Sequence, residues 1–204
     1  MTGVQTCALP IYPTADVEGF DAGAKAAIIA SIAFGCKVVA GDVYHEGISR
    51  ISKHDIAMAT RLGYVVKLLG IVEGDREGNS VAVRVHPTLV PATHPLASVR
   101  ESFNAVFVQG AAVGSLMFYG RGAGGDPTAS AVLGDILDAA RHLVSNTHTS
   151  LGSFVKATIT PIDETSSEYL ISMDVADRPG VLHAVTGVFA RHGVSIREIG
   201  RAHV

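Results

Sequence analysis

The chain has 204 residues, 48% hydrophobic and 17% charged, enough for one substantial core with a smaller unit beside it. A net charge of −3 and a pI near 6.3 exclude an obvious nucleic-acid or polybasic membrane surface, and no uncharged apolar run approaches the roughly 20 residues of a membrane span. No basic-start signal peptide opens the chain, and Cys7 and Cys36 make no disulfide framework, so a cytoplasmic protein with free thiols is expected.

In chain order, the first stretch, MTGVQTCALPI at 1–11, resembles the translation of a common sequencing-adapter oligonucleotide. IGRAHV at 199–204 resembles that of its opposite-end partner. Residues 1–12 and 199–204 are therefore set aside as non-native, and the reading frame is expected to be cut at both ends.

The remaining chain is organised around Asp16–Gly35, DVEGFDAGAKAAIIASIAFG. Asp16 or Asp21 can charge or cap a helix that runs to about Phe34, and Gly35 suits its C-terminal end. Apart from Ser31, residues 26–34 are all apolar, which predicts a helix buried nearly all round. Lys25 stands at the mouth of that helix, one turn after Asp21 on the same face. An ammonium there must be paired or used. It is either half of a surface ion pair or a group that exchanges a proton with a substrate hydroxyl, with the aspartates orienting it or holding a substrate amino group.

A second helix lies in SKHDIAMATRLG, capped by Ser52, stopped by Gly63, with Ile56, Ala57 and Ala59 facing inward. Tyr64–Glu73 reads as a strand, EGDREGNS as a charged turn, and Ser80–His86 as an antiparallel return. PTLVPATHPLASV, 87–99, reads as a proline-punctuated connection. Asn104–Gln109 and Gly114–Tyr119 form a second hairpin-like pair, and a helix spans about Thr128–Val144 with apolar residues at helical spacing. The glycine-rich turn before it, YGRGAGGDPT, can let a ligand approach backbone amides or can simply be a left-handed turn; it fits a dinucleotide fingerprint only loosely. Beyond a polar joint at 146–151, Tyr169–Val175 alternates as a strand, Asp177-Arg-Pro-Gly turns with Pro179 in the first turn of a helix to about His192, and Val194–Arg197 starts another strand. The predicted class is α+β: a mixed or antiparallel sheet with helices gathered on one face, then an incomplete βαβ unit. The nine histidines show no metal-ligand spacing, no serine sits in a nucleophile elbow, and no metal site is assigned.

PTADVEGFDAGAKAAIIASIAFG, GISRIS with DIAMATRLGYVVKLLGIVE, HPTLVPATHPLASVRESFNAVFVQG and YGRGAGGDPTASAVLGDI together resemble the catalytic and dimerisation domain of homoserine dehydrogenase. The resemblance places that domain at 13–160, and 168–198 resembles the start of a ferredoxin-like ACT domain, an amino-acid-sensing module. It implies NADP- or NAD-dependent interconversion of L-aspartate 4-semialdehyde and L-homoserine in threonine and methionine biosynthesis. It implies that Lys25 moves the hydroxyl proton, that Asp16 and Asp21 contact substrate, and that Gly122 and Gly124 lie near the nicotinamide nucleotide. It implies an effector site at Asp177, Arg178, Gly180, Val181 and Leu182, with threonine as ligand, and a homodimer or higher homo-oligomer. The family's Rossmann domain, which precedes this stretch and reads NAD against NADP, has no counterpart in these residues, and a substrate-binding glutamate falls where Ile11 and Tyr12 stand. The polypeptide by itself is therefore expected to be inactive. The alternative is a non-catalytic, ACT-type amino-acid-binding regulator. A buried Lys25 sharing a cleft with Asp21 and the glycine turn favours the enzyme; a Lys25 in solvent with no shared cleft favours the regulator.

Overall fold

A computed structural model describes residues 13–74, 80–148, 150 and 152–200. The adapter-like 1–12, with Cys7, and 201–204 lie outside the described residues, as does most of the charged turn at 75–79.

The centre is a long antiparallel pair. Strand β2 (Tyr64–Gly74) and strand β3 (Ser80–Pro91) pair along their whole lengths, from Tyr64↔Pro91 to Gly74↔Val81. The other edge of β3 carries two short parallel partners, β1 (Tyr44–His45) at Arg84–Val85 and β6 (Thr158–Ile159) at Ser80–Val81. β3 runs five residues further than its sequence suggests, through Pro87 to Pro91. In an antiparallel pair a residue turns both backbone groups toward its partner or both away. The Val81 and Val85 carbonyls accept from Thr160 and Glu46, so the odd-numbered residues turn away from β2. Pro87 and Pro91 are odd too and lie past the end of β1, so their missing N–H groups cost no ladder bond.

One face of this sheet is covered by helix α2 (Phe20–Phe34), which comes after the single turn α1 (Thr14–Val17). Val81, Val83 and Val85 meet Ala26, Ala27 and Ala30 in the core, with Cys36, a free buried thiol. The helix sits close because β2 offers glycines beneath it. A Cβ on Gly70 would stand 3.3 Å from that of Ala26, and one on Gly74 would strike the Phe34 ring at 2.3 Å. The prediction of a helix buried nearly all round is corrected here. Gly23, Ala26, Ala27 and Ala30 are buried, while Ile28 and Ile32 are 61% and 57% exposed. A sheet contacts only one side of a helix, and close approach selects the small residues for that side.

Helix α3 (Lys53–Arg61) packs beside the start of β2. Ser52 caps it as expected: its hydroxyl accepts from the Asp55 N–H at 3.2 Å, and Asp55 accepts from the Ser52 N–H at 2.8 Å. Of its three residues expected to face inward only Ala59 is buried; Ile56 and Ala57 are exposed. On the far face of the sheet Arg84, 5% exposed, donates to Glu73 at 2.7 Å. A separate ribbon pairs β4 (Phe103–Gly110) with β5 (Gly114–Arg121). It leads into α4 (Gly125–Ser145), none of whose residues is buried.

In the C-terminal part only the helix of the expected βαβ unit forms, as α5 (Val181–Arg191). Residues 169–175 and 194–197 carry no ladder among the described residues, because a strand needs a neighbour to take its N–H and C=O groups. The two flanks are joined instead by side chains, Arg197 forking onto both oxygens of Glu168 at 2.6 and 2.7 Å. The helix starts two residues after Pro179, so that proline precedes the helix rather than entering its first turn. No described helix is long and apolar enough to cross a membrane.

The close seating of α2 sets the first expectation. Ala30→Leu should cost about 1–3 kcal/mol by overpacking, while Ile32→Ser on the outer face should stay within about 0.5 kcal/mol, both read by chemical denaturation. Capping sets the second. Ser52→Ala should cost about 1 kcal/mol at neutral pH. The hydrogen bonds from Ser52 hold the Asp55 carboxyl below the usual carboxylate range. A depressed folded value stabilises above the unfolded value and is lost as pH falls through the folded one. Denaturation series should therefore show the gap between native chain and variant full at neutral pH and narrowing as the pH falls from the usual carboxylate range toward the lower folded value. The gap should not close, because the cap bond to the Asp55 N–H remains.

Candidate active site

α2 splits into two faces, and the candidate chemistry is on the outer one. Asp21 and Lys25 lie one turn apart, and the Lys25 ammonium donates to Asp21 Oδ2 at 2.5 Å. Their side chains are 48% and 62% exposed. Ile28 and Ile32 continue the same ridge by helical spacing, so the ion pair stands at the head of an exposed apolar stripe. In water such a pair contributes only a few tenths of a kcal/mol. Any surface that covers Ile28 and Ile32 removes water from Lys25 too, and the ammonium then needs Asp21 or a substrate oxygen far more.

Asp16 stands on α1, not on the same helix as Lys25. The chain breaks between them at Glu18 and Gly19, the latter left-handed at φ 79°. Asp16 makes no hydrogen bond to Asp21 or Lys25 among the described residues. The structure therefore brings two of the three predicted residues together and leaves the third one turn upstream on a separate element.

Gly122 and Gly124 come after β5. A Cβ on Gly122 would fall 1.6 Å from the Asn104 carboxamide nitrogen, so an internal contact already demands glycine there. Gly124 has φ 128° and leads into α4 with no side-chain cap. At Gly120 and Gly125 nothing lies within 4 Å of an added Cβ, so open backbone flanks the turn. Open backbone and uncapped amides fit a nucleotide's approach, while Asp126 in the first turn disfavours a phosphate there.

At the C-terminal loop Asp177, Arg178 and Gly180 are exposed, as is Leu182, and Val181 is half-buried. Gly180, at φ 90°, opens α5 and has no side chain to cap its first turn. Among the described residues no group of three or more His, Cys, Asp or Glu could hold a metal ion.

Among the described residues, the two best-formed cavities do not contain these groups. One of about 240 Å³ lies beside Arg84, Tyr44 and Thr165. The other, about 450 Å³, is an apolar groove between α3 and the start of β2. Lys25 thus stands in solvent, and neither of these cavities joins it to the glycine turn, the geometry expected of the regulator. The comparisons with known proteins decide the family on other grounds.

What sequence reading missed is the loop Glu46–Arg50. Ser49 donates to Glu18 Oε1, and the Ile48 N–H donates to the Val17 carbonyl at 2.9 Å. Ser49 and Glu18 are 31 residues apart, and no periodicity announces such a contact.

The homoserine dehydrogenase family profile matches residues 12–137, and the ACT domain profile matches 169–199. A homoserine dehydrogenase of Corynebacterium glutamicum is 53% identical over 191 residues, covering 92% of this chain and 43% of the relative. One from Bacillus subtilis is 41% identical over 190 residues, with 92% and 43% covered. The crystal structure of a homoserine dehydrogenase from Thiobacillus denitrificans superposes with a TM-score of 0.77 at 36% identity, covering 89% of this chain and 43% of that one. An S. aureus homoserine dehydrogenase gives 0.59 at 43% identity over 64% of this chain and 32% of that one. The chain thus spans less than half the length of the relatives it matches. On a profile match across more than half its residues, this chain belongs to the homoserine dehydrogenase family.

Proposed function

We propose that the chain is the substrate-side part of a homoserine dehydrogenase, interconverting L-homoserine and L-aspartate 4-semialdehyde with NADP or NAD in the cytoplasm. The observation that carries this reading is the family match over residues 12–137, within which the Lys25–Asp21 pair on the outer face of α2 supplies the candidate proton-transfer group. The substrate unit would be residues 13–160, with a regulatory ACT unit at 168–198.

The nicotinamide nucleotide supplies hydride transfer when bound. Everything else falls to side chains. Lys25 faces the substrate oxygen: as an ammonium it gives a proton to the aldehyde oxygen, and as an amine it takes the proton of the alcohol. Asp21 holds the Lys25 stem in one rotamer and keeps Nζ at a fixed height over α2. Asp16, with no partner of its own on α2, is free to hold the substrate ammonium. Gly122 and Gly124 leave the backbone open on the nucleotide's side. Covering the isoleucine stripe excludes water from the reacting atoms. The exposed apolar side chains of the β4–β5 ribbon, Val106, Val108, Leu116 and Phe118, support a second copy of the chain as partner. The first-turn amides of α5, beside Arg178, suit the carboxylate of an amino acid such as threonine.

The test is a chimera of the Corynebacterium glutamicum relative, with its 191 matched residues exchanged for those of this chain. It should oxidise homoserine with appearance of reduced nucleotide, and Lys25→Ala should lower turnover by roughly 10²–10⁴-fold. Undiminished turnover in Lys25→Ala would overturn the assignment of the proton to Lys25.

A further inference from the structure

We infer that Glu18 and Ser49 are positioning residues, forming a clasp that sets Asp16 on α1 against Lys25 on α2. This rests on the reading of Asp16 as a substrate contact.

The joint between the two helices is Glu18–Gly19, and it is gripped from two sides. Beneath it, a Cβ on Gly19 would strike Val85 Cγ1 at 2.7 Å, so the turn lies directly on β3. Its left-handed φ of 79° is the conformation glycine adopts without strain. Above it passes the loop after β1. There a Cβ on Gly47 would fall 2.3 Å from Glu18 Oε2 and 2.7 Å from the Val17 carbonyl oxygen. The loop is itself anchored to the sheet, the Glu46 N–H donating to the Val85 carbonyl at 2.7 Å. Val85 thus supports the joint from below and fixes the loop that presses from above.

Glu18 closes the clasp. Its Oε1 accepts the Ser49 hydroxyl, and its Oε2 lies in the space a Cβ on Gly47 would need, so the loop packs against the carboxylate. The Ile48 N–H to the Val17 carbonyl, 2.9 Å, adds a backbone tie one residue before. α1 is a single turn of four residues and fully buries none of them, so its own packing fixes its direction only weakly. The loop supplies that direction. Without it α1 swings about Gly19, and Asp16 loses its place relative to Asp21 and Lys25, which α2 holds rigidly on the sheet. An error of this kind acts on substrate binding and leaves nucleotide binding alone, because the glycine turn is on other elements.

The experiment uses the same chimera, with KM for homoserine and for nucleotide measured separately, and kcat alongside. Glu18→Ala and Ser49→Ala should each raise the homoserine KM roughly tenfold while the nucleotide KM stays unchanged. Glu18→Gln and Ser49→Thr, which keep an acceptor and a hydroxyl, should restore it. The double variant should be no worse than either single one, since the two groups make one contact. Amide exchange at Gly19 and Ile48 in the full chain should speed up in Ser49→Ala, which reports the clasp without catalysis. Faster exchange with an unchanged homoserine KM would overturn the positioning role, as would both KM values moving together or additive losses in the double variant. A homoserine KM unmoved by Asp16→Asn would instead overturn the underlying reading of Asp16, while faster exchange in Ser49→Ala still marked the clasp as real.

Discussion

The core of this molecule depends on how closely α2 lies on β2 and β3. Two glycines in β2, Gly70 and Gly74, remove the side chains that would hold the helix off, and alanines at 26, 27 and 30 remove its own. The consequence is a helix with a small-residue side welded to the sheet and a large-residue side turned outward. Dispersion contacts at that distance make the seating rigid, since a packed interface has few alternative arrangements. The outer face is therefore a fixed platform, and Asp21 and Lys25 stand on it one turn apart.

From that platform the proposed site extends in steps of decreasing rigidity. The Lys25 backbone is fixed by the helix, and its ammonium meets Asp21 one turn back. Asp16 lies on α1, which is tied to the loop Glu46–Arg50 through Glu18 and Val17. The glycine turn and the C-terminal loop sit on elements with few buried residues, α4 and α5 having none. Their exposed apolar ridges, such as Val132 and Ile136 on α4, are surfaces that large side chains occupy when another element covers them.

The parts legible in the sequence were those written in local pattern. The β2–β3 pair, the β4–β5 ribbon, the Ser52 cap and the Asp21–Lys25 spacing each arise from residues within a few positions of one another. The misses are non-local. Pro87 and Pro91 read as breakers because the sequence does not say which edge of β3 is free at those positions. The all-round apolar run of α2 read as full burial because composition cannot tell a sheet on one side from contacts on both. Residues 169–175 alternate like a strand, yet alternation does not provide the neighbour that a ladder requires. At the site, Gly122 read as an opening for a ligand, and the structure shows a nearer cause in Asn104. Glu18, Gly47 and Ser49 gave no sequence signal, because their contact spans 31 residues without a periodic trace.

If the outer face of α2 is where the substrate reacts, a crystal structure of the chimera with oxidised nucleotide and homoserine shows it most directly. The homoserine hydroxyl should lie about 3 Å from Lys25 Nζ, with its ammonium toward Asp16 or Asp21. Homoserine bound elsewhere, with Lys25 still facing only Asp21, would contradict that placement of the reaction.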